Sequence, residues 1–118
     1  MKQITPLYYN DFGMSFYWKK EKFTFSEKVQ LVFKETGFHF SFSELTAFSA
    51  LIAESAKNIS GCNDCVLKNK CHKYLLKTPC TQIDLAVSVQ ELNAIEDLVE
   101  GTLFKVNLHE FLNGVGRN

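Results

Sequence analysis

A chain of 118 residues, 46% of them apolar and 22% charged, is long enough to bury one core and too apolar to stay unfolded. Its 13 Lys and Arg balance 13 Asp and Glu, which excludes a global field drawing DNA or anionic lipid to the surface. No stretch approaches the ~18 uninterrupted apolar residues of a membrane span. Met1-Lys2-Gln3-Ile4-Thr5-Pro6 also lacks the apolar run of a signal peptide. The expected location is therefore the cytoplasm, where cysteines serve as thiols or metal ligands rather than as disulfides.

In chain order, the expected fold is α+β in a single domain, 1–118. Its parts are a β meander over 1–41, a helix over 42–57, a cysteine insert over 58–80, a second strand–helix unit over 82–105 and a tail over 106–118. Phe12, Met14, Phe16 and Trp18 alternate with Gly13, Ser15 and Tyr17, the period of a half-buried strand whose aromatic side faces the core. Lys19-Lys20-Glu21-Lys22 reads as a turn, after which Phe23 and Phe25, and then Val29, Leu31 and Phe33, resume the alternation. Glu35-Thr36-Gly37 suits a hairpin turn, with Gly37 supplying a positive φ. Phe38, Phe40 and Phe42 follow, which completes an antiparallel meander of three or four strands.

An internal echo appears at an offset of 47: FHFSFSELTAFSALI from Phe38 matches LAVSVQELNAIEDLV from Leu85 at five of fifteen positions. Ser41-x-x-Glu44 and Ser88-x-x-Glu91 are both capping boxes, in which serine and glutamate satisfy each other's first-turn N–H groups. Phe40 with Leu45, and Val87 with Leu92, have the spacing of the hydrophobic staple. A helical stripe then runs through Leu45, Phe48, Leu51 and Ile52, and another through Leu92, Ile95, Leu98 and Val99. Each unit is a strand leading directly into a capped helix.

The insert between them should begin where Gly61 ends the first helix. Leu67, Cys71, Tyr74 and Leu75 have the spacing of a short helix over 64–76, which Pro79 stops. Leu103 to Leu112 is apolar enough to pack, as an extension of the second helix or as a short extra one, and Gly114-Val115-Gly116 is expected to fray. From Lys57 to Lys77 five lysines face one acid, whereas from Asp84 to Glu110 six acids face one lysine. Such segregation serves a partner or neutralises itself across the fold.

Cys62, Cys65, Cys71 and Cys80 fall within 19 residues as C-x2-C-x5-C-x8-C. Two cysteines separated by two residues can aim both thiolates at one ion, and the later pair can close a tetrahedron. Lys68, Lys70, Lys73 and Lys77 would offset the thiolate charge. Zinc as a structural clip is the first metal reading, with His72 as the alternative fourth ligand. An iron–sulfur cluster is the second, since C-x2-C-x5-C with a later cysteine resembles the auxiliary-cluster pattern of some radical enzymes. Free cysteines with no metal are the third. Cys62-Asn63-Asp64-Cys65 as a redox dithiol lacks the strand that leads into such motifs.

Other chemistry is sparse. His39, His72 and His109 read as surface histidines, and Glu96 and Asp97 are neighbours that point apart rather than an acid–base pair. The Phe-rich sheet suggests base stacking, but aromatic faces covered by the two helices would be core, so nucleic acid is not the expected partner. The segments Phe38–Leu45 and Leu85–Leu92 resemble those of a family of short bacterial proteins carrying a domain of unknown function. That resemblance implies neither an activity nor a site. The sequence therefore points to a small non-enzymatic domain with a metal site in the cysteine insert, acting through contacts with a protein partner. Alternatives are an iron–sulfur or dithiol redox protein and a plain interaction module with incidental cysteines.

Overall fold

The computed structural model describes residues 4–18, 28–60 and 74–115. Among the described residues six strands and two helices follow one another: β1 (Ile4–Tyr9), β2 (Gly13–Trp18), β3 (Val29–Phe33), β4 (Thr36–Phe40), α1 (Phe42–Ser60), β5 (Tyr74–Lys77), β6 (Asp84–Val87) and α2 (Val89–Val115). Strands β1 to β4 form an antiparallel meander in sequence order, and β5 pairs with β6 in a separate hairpin. The fold is α+β, as its residue patterns require.

Both helices start where their capping boxes place them. The Ser41 N–H donates to Glu44 Oε1 at 2.9 Å and the Glu44 N–H to Ser41 Oγ at 3.2 Å. The Ser88 and Glu91 pair repeats this at 2.8 and 3.1 Å. The same first-turn bond follows each box, from Leu45 N–H to the Ser41 carbonyl and from Leu92 N–H to the Ser88 carbonyl. Leu45, Phe48 and Ile52 of α1 and Leu92, Ile95, Leu98 and Val99 of α2 are buried, so each expected stripe faces the core. Each box follows a β-hairpin, β3–β4 in one case and β5–β6 in the other.

α2 lies across β1 and β2, while α1 packs on α2, on β5 and against β4. Phe48 of α1 meets Phe40 at 5.5 Å and Phe38 at 6.3 Å between ring centroids, and Phe33 stacks on Phe38 at 5.5 Å. Phe33, Phe38, Phe40 and Phe48 thus form an aromatic cluster between the β3–β4 hairpin and α1.

The structure adds one strand to those expected and changes four expectations. β1 is a strand that Pro6 conceals: proline donates no ladder hydrogen bond and is tolerated because β1 is an edge, and a bulge between Pro6 and Tyr8 breaks the alternation. β2 is a strand, but its faces are reversed. Gly13 and Ser15 face α2, while Phe16 and Trp18 lie on the other side, in edge contact at 5.1 Å. The β3–β4 turn is two residues long, with positive φ at Lys34 (51°) and Glu35 (60°), and Gly37 belongs to β4. Positive φ at both central residues is the hairpin geometry that matches strand twist. Finally, Tyr74 to Leu76 form strand and not helix, with Leu76 buried and Leu75 68% exposed. Their partner, β6, lies beyond the Pro79 turn, so local spacing could not reveal it. The rest of the expected helix over 64–76, the turn at 19–22, and Phe23 and Phe25 lie outside the described residues.

The apolar tail extends the second helix, and the chain is still helical at Gly114 and Val115, where fraying was expected.

Candidate functional site

Of the predicted ligand set, the described residues include Cys80 alone; Cys62, Cys65, Cys71 and His72 fall in residues 61–73, outside them. That span runs from the end of α1 to the start of β5, and Cys80 sits past the far end of β5, in its turn to β6. The turn is built on Thr78. Its buried hydroxyl lies 2.9 and 2.8 Å from the carbonyls of Cys80 and Ile83, which share its one proton, and accepts the Cys80 N–H at 3.2 Å. The Ile83 N–H closes the turn on the Cys80 carbonyl at 3.0 Å. With its backbone so held, Cys80 presents an exposed free thiol, which donates to Gln82 Oε1 at 3.4 Å. A thiol in this position is open to a metal, an oxidant or a partner. Among the described residues, no group of three or more His, Cys, Asp and Glu side chains is arranged to hold a metal ion.

β5 and β6 set Lys77 directly opposite Asp84, one residue from the basic segment against one from the acidic segment. His39 is exposed on the side of β4 away from Phe38 and Phe40. His109 lies in the last part of α2.

A polar cluster that the sequence did not announce joins the β1–β2 turn to α2. The Tyr8 hydroxyl donates to Asp97, 3.0 Å from each carboxylate oxygen. Asn10 Nδ2 donates to Asp97 Oδ2 at 3.0 Å and to the Ala94 carbonyl at 2.9 Å. Asn10 Oδ1 in turn accepts the N–H groups of Phe12 and Gly13, so one side chain both forms the turn and ties it to the helix. The Asp97 carboxylate holds the Tyr8 phenol above its ordinary value of 10.0, chiefly because it accepts the hydrogen bond that the neutral hydroxyl donates, with burial and its negative charge adding to the effect. The signal available in the sequence was Asn10-Asp11-Phe12-Gly13, a turn-forming run ahead of a strand. Asp97 is thus held by both Tyr8 and Asn10.

One further link spans the two hairpins. Lys34 Nζ donates to the Ala86 carbonyl at 2.7 Å and pairs with Glu91 Oε2 at 3.2 Å, while Glu91 Oε1 caps α2. These contacts are those of structural joints.

The class that the fold defines is a small α+β domain, a four-stranded antiparallel meander with two helices and an additional hairpin. No protein-family model matches the chain, and neither a curated protein nor a solved structure matches it. No helix among the described residues is long and apolar enough to cross a membrane.

Proposed function

We propose that this chain is a non-enzymatic domain that works by contacting another protein, and that its cysteine insert is a structural clip closed by one zinc ion. The observation that carries the reading is Cys80: a free, exposed thiol on a turn immobilised by Thr78, nine residues past the last cysteine of C-x2-C-x5-C. An ion gathering Cys62, Cys65 and Cys71 with either Cys80 or His72 would brace a connection that leaves one helix and enters a hairpin. Such bracing is what a contact surface needs to keep its shape without a large core beneath it. The sequence carries an acidic run from Asp84 to Glu110 and a basic run from Lys57 to Lys77, charge of both signs for a partner to complement.

The test is purification without oxygen, followed by a metal count and a visible spectrum. One colourless zinc per chain is expected. Brown colour with iron and sulfide would replace the clip by a cluster, and four freely titratable thiols with no metal would end the metal reading. Cys80→Ser decides the fourth ligand: zinc is lost if Cys80 binds it and kept if His72 does.

A further inference from the structure

We draw no further inference here: the strongest candidate, the exposed apolar pair Phe104 and Leu108 one turn apart on the C-terminal half of α2, carries nothing because no feature of the structure shows what covers it.

Discussion

Ser15 shows how one residue can decide the orientation of a strand. Its side chain is fully buried, and its hydroxyl meets Thr102 Oγ1 at 2.6 Å while Thr102 donates to the Leu98 carbonyl at 2.6 Å. A buried hydroxyl without a partner costs about 1–3 kcal/mol, whereas a matched pair can be removed together at little cost. Ser15→Ala and Thr102→Val should therefore each lower stability by about 1–2 kcal/mol, and the double variant should lose clearly less than their sum. Urea denaturation of the four proteins of this cycle measures the coupling, and strict additivity would show that the pair does not act as a unit. Two glycines make the same interface possible. A Cβ on Gly13 would collide with the Val32 carbonyl oxygen of β3 and stand 3.1 Å from Leu98 Cδ2 of α2, and one on Gly101 would stand 2.6 Å from the Tyr8 ring. Alanine in an open helix gains about 1 kcal/mol over glycine. Gly101→Ala should instead destabilise, by roughly 1–3 kcal/mol of overpacking, because the Tyr8 ring is tied to Asp97 and cannot move away freely. A rise in melting temperature for Gly101→Ala would refute that account.

At the scale of the element, the capping boxes are the most legible feature of the chain. Their four reciprocal bonds are those that the Ser-x-x-Glu spacing demands, because they depend only on residues three apart. Removing either serine hydroxyl with Ser41→Ala or Ser88→Ala should cost about 1 kcal/mol. Glu44 adds a dependence on pH. The Ser41 N–H and then the Ser41 hydroxyl favour its carboxylate, the charge of Lys28 assists, and the carboxyl is held below its ordinary value of 4.5 despite some desolvation. A lowered folded value means that this stabilisation is complete above pH 4.5 and fades as pH falls through the folded value. Glu44→Gln keeps a capping side chain but cannot titrate, so its melting temperature should fall less steeply than that of the parent below pH 4.5. Parallel acid limbs for the two proteins would count against the cap as the cause. Tyr8 contributes with the opposite sign: its raised value means stability present below pH 10.0 and lost as pH climbs through the folded value. Other elements were less legible. β1 hides behind Pro6, and β5 imitates a helix because Tyr74 and Leu75 have helical spacing relative to Leu67 and Cys71.

Across the whole molecule, the two hairpin–helix units are joined through their helices and through Lys34. This residue holds a positive φ in its own turn while reaching the Ala86 carbonyl of β6 and the glutamate that caps α2. Being partly exposed, the link is worth only about 1 kcal/mol. Lys34→Ala should lose that amount at low salt and lose less in 1 M salt, where the ion pair is screened. An unchanged salt dependence would assign Lys34 to the turn alone. By itself the sequence determined the α+β class, both helix starts, the buried stripes of α1 and α2, and the strands β2 to β4, since all of these follow from interactions within a few residues. Tertiary structure alone decided which face of β2 meets α2. Alternation fixes the period of a strand and not its polarity, and the buried Ser15 is satisfied by groups distant in sequence or on the neighbouring strand, Thr102 Oγ1 at 2.6 Å from 87 residues away and the Tyr8 carbonyl at 3.3 Å. It likewise decided that Tyr74 to Lys77 extend as strand, because pairing with Asp84 to Val87 supplies the backbone hydrogen bonds that a helix would otherwise have provided.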